Sequence, residues 1–318
     1  MKKIRISTDG VPSDYRSSLV PLLMVSLGYQ IEWVKPADAD LRIIGPFVNL
    51  NAKKMRWLPK PLRKSAHQLQ ELASNRLDLR KSIPLRLFQT GENCRHDHVV
   101  ADYSISHDLG VGSARHFRMP YWMEMMDWAH EGVNGNANPR FGSLLKMEQL
   151  QRPLGLDFLS RSRKAILLSS HLREPRASCM QALQRSVDVD GLGPYFDKNI
   201  ADHHSSGFLK RDVLQPYSFN LCPENGLYPG YITEKIPEAF MAGCLPITWV
   251  DESVSVDFNA EAMINLKPMM QGNFAGLAEM LSSSARLSTF AEQPLLLHQP
   301  SIEGLKLFIG KVVGDAVS

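Results

Sequence analysis

Residues 217–249, YSFNLCPENGLYPGYITEKIPEAFMAGCLPITW, hold a short strand, a Gly-rich turn, a helix start and a second strand in one continuous run. Phe219 to Cys222 reads as a buried strand edge. The loop after it carries Glu224, Asn225, Gly226, Gly230 and Tyr231, a polar cluster on flexible backbone that a core segment does not need. Thr233 is placed to cap a helix whose first turn holds Glu234 and Lys235. Free backbone N–H groups at such a start, beside a lysine, suit a phosphate. A well-capped surface helix has the same pattern, so from these residues alone both readings stand.

The strand and helix rhythm of this run continues on both sides of it. Upstream lie KAILLSS at 164–170, a helix through about Glu174 to Arg185, and VDVDGLG. In the first half, KIRIST near residues 3–8, a candidate helix from about Ser17 to Leu27, YQIEWV and LRIIG alternate in the same way, which is the pattern of an α/β domain. Residues 49–82 are basic and polar, with a helix expected from about Leu62 to Leu77. LRLFQT then delivers Gly91, Glu92 and Asn93 at a strand's carboxyl end, where open parallel sheets bind ligands. DYSISHD reads as a further strand, and EGVNGNANPRFGS at 131–143 as an exposed loop. The α/β rhythm restarts near 150–163, which places a domain division there, and two α/β domains with a cleft between them are expected. SIEGLKLFIGKVVG at 300–313 reads as a closing helix that packs back on the first domain.

A length of 318 residues exceeds what one core usually supports. With 44% hydrophobic and 22% charged residues the chain reads as an ordinary globular protein, not a disordered one. A net charge of +3, from 36 basic and 33 acidic residues, gives no general argument for nucleic acid. MKKIRISTDG resembles a first strand more than a signal peptide, and no apolar stretch reaches membrane-span length, so a cytoplasmic enzyme is expected. Cys94, Cys179, Cys222 and Cys244 lack CxxC spacing, and Cys222 and Cys244 read as free buried thiols.

Several residue types carry chemistry. Glu92, next to a glycine that permits a tight turn, is either a general base facing a hydroxyl or a loop-capping glutamate. Arg176 follows Ser169, Ser170 and His171 in a polar strand-to-helix turn; with Arg173 it is either an anion contact or a solvated helix residue. His96, His98, His107 and His116 crowd together with Asp97, Asp102 and Asp108, but their spacing matches no zinc or facial-triad pattern, which favours structural or second-substrate contacts over a metal. His203 and His204 read as surface residues. There is no GxGxxG after the first strand, no GxxxxGK[ST] and no GxSxG, which counts against NAD enzymes, P-loop ATPases and serine hydrolases.

The run at 217–249 resembles the donor-binding signature of the α-1,3/α-1,4-fucosyltransferases, glycosyltransferase family 10, in the order FNL, EN, Y-I-TEK-I, AF-AG and PI. LFQTGENCRHDHVVADYSISHDLGVGSARHFRMPYW is similar to that family's GEN…DYxxxFD segment, and ILLSSHLREPR with VDVDGLG to its SN…R…VDxxG block. Together these segments span about residues 85–260.

The resemblance implies a GT-B fold of two Rossmann-like domains: an acceptor side over 1–155, a GDP-sugar side over 156–300, and a C-terminal helix over 300–318. By matching position, Glu92 resembles the family's general base and Arg176 the arginine on the donor diphosphate. Tyr231, Glu234 and Lys235 resemble the residues around the nucleotide, with Lys235 on phosphate and Glu234 on ribose hydroxyls. Asn225 sits where the family has an asparagine near the donor, with Glu224 its neighbour in the sugar-side loop. The implied reaction is an inverting transfer of L-fucose from GDP-fucose to a glycan hydroxyl, with an α-1,3 type linkage. It implies no tightly bound cofactor and no required metal, GDP-fucose being the donor substrate.

Departures from the family pattern are Pro223 for an aromatic residue, His171 for asparagine, Thr248 and Val250 where tyrosine and glycine are common, and His107 for phenylalanine. They keep open another GDP-sugar or modified deoxysugar as donor; the remaining alternative, an inactive glycan- or nucleotide-binding protein, would predict a disabled Glu92 or Lys235, and both are intact. The basic run Lys53–Lys64, with Trp57 inside it, is either a solvated face or a contact for an anionic or lipid-linked glycan acceptor at the inner face of a membrane.

Overall fold

A computed structural model describes residues 2–48, 83–197 and 209–318. The expected helix from Leu62 to Leu77, the basic run Lys53–Lys64, and His203 and His204 lie outside the described residues. The chain packs as two units, 1–119 with 302–318, and 120–301.

In the first unit six strands form one sheet in the order β2-β1-β3-β4-β5-β6: β1 (Lys2–Asp9), β2 (Tyr29–Trp33), β3 (Leu41–Ile44), β4 (Leu85–Gln89), β5 (Tyr103–Ser106) and β6 (His116–Arg118). All neighbours pair in parallel. Ile4 and Ile6 of β1, with Leu41, Ile43 and Ile44 of β3, are buried, as expected where helices cover a parallel sheet. Helix Leu19–Ser26 buries Leu19, Val20, Leu23 and Met24; Pro21 is tolerated in its first turn, and Gly28, at φ 86°, follows its end in the left-handed conformation. Helix Glu303–Val317 buries Leu305, Phe308, Ile309, Val312 and Val313, a stripe at helical spacing. Phe308 meets Tyr103 of β5 edge to face at 5.7 Å, and the Tyr103 hydroxyl donates to Asp315.

The second unit repeats the wiring. Its sheet runs β11-β10-β9-β7-β8, from β7 (Ser162–Leu168), β8 (Val189–Leu192), β9 (Tyr217–Leu221), β10 (Leu245–Thr248) and β11 (Ile264–Asn265), again all parallel. Ala165, Leu167, Leu183, Phe219, Leu221, Leu245 and Ile247 form its core. Residues 120–150 pack into this unit: Trp122 lies 5.2 Å from Phe258, and Leu296 N–H donates to Leu150 O over 2.9 Å. The Gly- and Asn-rich stretch 131–143 is not wholly exposed, since Phe141 is fully buried and Asn138 nearly so. An aromatic side chain in a polar stretch buries itself even where the backbone turns repeatedly.

Each sheet places its second strand on one side of its first and its third on the other. The crossover therefore reverses between β1 and β3 in one unit and between β7 and β9 in the other, and ligands of open α/β sheets gather at such reversals, outside the strands' carboxyl ends. Among the described residues no helix is long and apolar enough to cross a membrane.

Candidate active site

The carboxyl ends of β7 and β9 bring together the two loops that the sequence singles out. After β7, Ser169 Oγ donates to His171 O over 2.6 Å, a tight turn that aims the chain at helix Arg176–Gln184. Gly193, beyond β8, lies against this turn: a Cβ there would stand 2.7 Å from Ser169 O, so only glycine permits the approach. Arg176 is 8% exposed, and its guanidinium is oriented from two sides. Its Nη2 donates to Asn225 Oδ1 over 2.5 Å, and its Nη1 lies 2.5 Å from His171 Nε2 and 3.0 Å from Nδ1. Burial lowers the His171 pKa, with Arg176 and Arg173 pushing the same way, so the ring is neutral and accepts from the arginine.

After β9, Glu224 N–H donates to Trp249 O over 3.1 Å, which prolongs the β9–β10 alignment into the loop. The Glu224 carboxylate is completely buried. It accepts from Thr233 N–H at 2.7 Å, from Thr233 Oγ1 at 2.9 Å and from Lys235 Nζ at 2.7 Å. Thr233 Oγ1 in turn accepts from Lys235 Nζ over 2.8 Å. Thr233 therefore does not cap the helix, contrary to the sequence expectation. The cap position is Glu234, without a side-chain cap bond, because a buried carboxylate without donors is far more costly than an uncapped helix end and claims the threonine hydroxyl. The helix itself, Lys235–Met241, is short, so cationic side chains rather than a long helix dipole supply the positive charge here.

Burial works to lower the Lys235 pKa, but Glu224 and Glu234 outweigh it and hold the ammonium charged. Burial likewise works to raise Glu234, and Lys235, Lys210 and Arg140 pull it down to about 2. One turn further, buried Glu238 accepts from Lys210 Nζ. Tyr231 is 2% exposed, and Gly230 N–H donates to Ser253 Oγ over 2.7 Å, which closes the loop onto residues after β10. Arg176, Glu224, Asn225, Tyr231, Glu234 and Lys235 thus gather at one sheet reversal. Chemically this is a pair of fixed cations, Arg176 held by an amide oxygen and an imidazole and Lys235 by a carboxylate, suited to a phosphate ester whose negative charge grows on bond cleavage.

Sequence reasoning missed Thr233 as a carboxylate ligand and the Lys210–Glu238 pair. Glu238 carried a signal, falling one helical turn after Glu234; Lys210 carried none. Among the departures from the family pattern, Pro223, Thr248 and Val250 are buried, and Thr248 Oγ1 donates to Cys222 O over 3.0 Å. His171 instead touches Arg176.

Glu92 belongs to the first unit. It is exposed in the loop after β4, with its N–H donating to Thr90 Oγ1 over 3.0 Å. In the same unit His96, His107 and His116 converge around Asp108, and the His96 and His116 rings are 5.1 Å apart. His98 lies apart from them, 6.2 Å from Phe88. Among the described residues no three His, Cys, Asp or Glu side chains are grouped as a ligand set for a metal ion. At the reversal of the same sheet a cavity of about 480 Å³ is lined by Thr8, Asp9, Gly10, Ser13, Tyr15 and Arg16 among others.

Residues 158–285 match the family model described as glycosyltransferase family 10 (fucosyltransferase) C-term. Alpha-(1,3)-fucosyltransferase FucT of Helicobacter pylori is 28% identical over 197 residues, 57% of this chain; the match spans 40% of that relative's length. Of solved structures, an alpha1,3-fucosyltransferase with GDP-fucose superposes with a TM-score of 0.65 at 21% identity, over 98% of this chain and 91% of that one. An alpha1,3-fucosyltransferase with GDP gives 0.65 at 20% identity over the same shares. These likenesses show a GT-B-like fold of two parallel α/β domains.

Proposed function

We propose that the chain, whose residues 158–285 match the C-terminal model of glycosyltransferase family 10, is a fucosyltransferase-like protein of that family and transfers L-fucose from GDP-fucose to a hydroxyl of a glycan, with inversion and an α-1,3 type linkage. The observation that carries this reading is the pair of oriented cations, Arg176 held by Asn225 and Lys235 held by Glu224, at the sheet reversal between β7 and β9. The GDP diphosphate lies against Arg176 and Lys235, with Glu234 and Tyr231 toward the nucleoside. Glu92 removes the acceptor proton as the acceptor oxygen attacks the anomeric carbon, and the departing diphosphate takes up the bonding electrons. Its developing charge is met by cations already in position, which lowers the barrier without reorganisation.

The acceptor glycan belongs on the N-terminal unit. The cavity beside Asp9 offers a carboxylate and hydroxyls at the end of β1, and Glu92 follows β4, two strands away, or about 10 Å across the sheet. Calorimetric titration with GDP, UDP, ADP and CDP tests the nucleotide assignment. Selective binding of GDP is expected; equal binding of UDP would overturn it. Product analysis by NMR then reads anomeric configuration and linkage.

A further inference from the structure

The loop that carries Glu92 is pinned on both sides of that residue. Before it, Thr90 N–H donates to Ile105 O over 3.0 Å, and Thr90 Oγ1 accepts from Glu92 N–H at 3.0 Å. After it, Cys94 N–H donates to Glu92 O at 2.7 Å, and His96 N–H donates to Asp108 Oδ2 at 2.6 Å. Asp108 stands just past β5 and is 1% exposed. Ser106 Oγ donates to the same Oδ2 over 2.8 Å and accepts from Asp108 N–H over 3.2 Å. The other oxygen, Oδ1, forms an ion pair with the Arg95 guanidinium, and the His96 ring reaches Oδ2 at 3.2 Å.

One buried carboxylate therefore takes two consecutive residues of the neighbouring loop. A carboxylate is buried only where donors compensate its lost hydration, and here the loop supplies them. The loop cannot rise from the sheet without taking Arg95 and His96 from Asp108, which would keep only Ser106. Glu92 is exposed, and its backbone is held by Thr90 on one side and, through Cys94 and the tethered turn at 95–96, by Asp108 on the other.

We propose that Asp108 is a positioning residue for Glu92, holding the 91–96 loop at the height the base requires. This rests on Glu92 being the base. Proton transfer tolerates little displacement, and a shift of about 1 Å in a reacting group costs about 100-fold in rate. A role confined to closing the end of β5 would leave the Glu92 loop and its chemistry unmoved.

The test uses the full chain with Asp108→Ala and Asp108→Asn, each alone and combined with Glu92→Gln. Amide hydrogen exchange is followed over residues 91–98, with the strand Tyr217–Leu221 as the internal reference. The kinetic readout is GDP release from GDP-fucose with N-acetyllactosamine. Asp108→Ala is expected to speed exchange in the loop by tenfold or more and to lower kcat by at least tenfold, with the donor KM within twofold. Asp108→Asn, which keeps one oxygen acceptor but loses the Arg95 pair, is expected to fall between, and it carries the test if the alanine variant does not fold. In the Glu92→Gln background neither change should lower kcat further. Unchanged exchange, or an equal fold-loss on top of Glu92→Gln, would overturn the proposal. Full activity of Glu92→Gln alone would instead sink the assignment of the base, while the exchange data would still report on the tether.

Discussion

Lys235 Nζ lies 2.7 Å from Glu224 Oε2, and these two residues close the ends of one loop, the carboxylate just past β9 and the lysine opening the next helix. Glu224 is fully buried while the lysine side chain keeps 19% exposure. The carboxylate thus turns inward, and the lysine remains a partly exposed cation.

Removing the carboxylate strands the lysine. Glu224→Ala is expected to lower unfolding stability by about 3–5 kcal/mol, the usual cost of breaking a buried pair from one side. Urea titration reads this directly. A loss below about 1 kcal/mol would show that water screens the pair as it does at a surface.

Arg176 contributes through the fork of its guanidinium. Arg176→Ala is expected to weaken GDP binding about 10- to 100-fold, the range for charge-assisted hydrogen bonds, and Arg176→Lys to recover little of it. Calorimetry with GDP measures both variants; full recovery by lysine would mean that charge alone matters.

Glu92→Gln is expected to reduce transfer by about 10²- to 10⁴-fold, the contribution of a positioned base. GDP affinity should stay within twofold, because the cations proposed to hold the diphosphate belong to the other unit. A parallel collapse of GDP binding would contradict the assignment.

Acid should destabilise the fold through buried neutral histidines. His107 is 2% exposed, and burial, with Arg95 and Arg118 adding to it against Asp108, lowers its pKa to about 4. Its unfolded value is 6.5, so the unfolded chain binds the proton first as pH falls. Stability from this residue is complete above pH 6.5 and is lost on descending toward pH 4, with a slope of at most about 1.4 kcal/mol per pH unit. His107→Phe removes the titrating group, and a flatter stability profile between pH 6.5 and 4.5 in urea unfolding is the expected result. An unchanged slope would place the acid sensitivity elsewhere.

Strands were legible where apolar runs were short and bounded by turn residues: LRLFQ, KAILL, YSFNL and LPIT all fall in strands of the two sheets. Residues 120–150 were harder to place. Their Met, Trp and Tyr side chains show no clear period, and only contacts such as Trp122 with Phe258 reveal the unit they join.

The candidate site divides along the same line. Residue order singled out the polar loop after Cys222, the arginine after the SSH turn and the glutamate after LRLFQT, because turn residues at strand ends are a local signal, while the roles given to them came from the family resemblance. Which partner each would take was a tertiary decision. Thr233 binds Glu224 rather than capping its helix, His171 faces Arg176, and Asp108 holds the Glu92 loop. Hydrogen-bond partners of buried charges are chosen by which donors the crossovers bring within 3 Å, and burial makes that choice too costly to leave unmade.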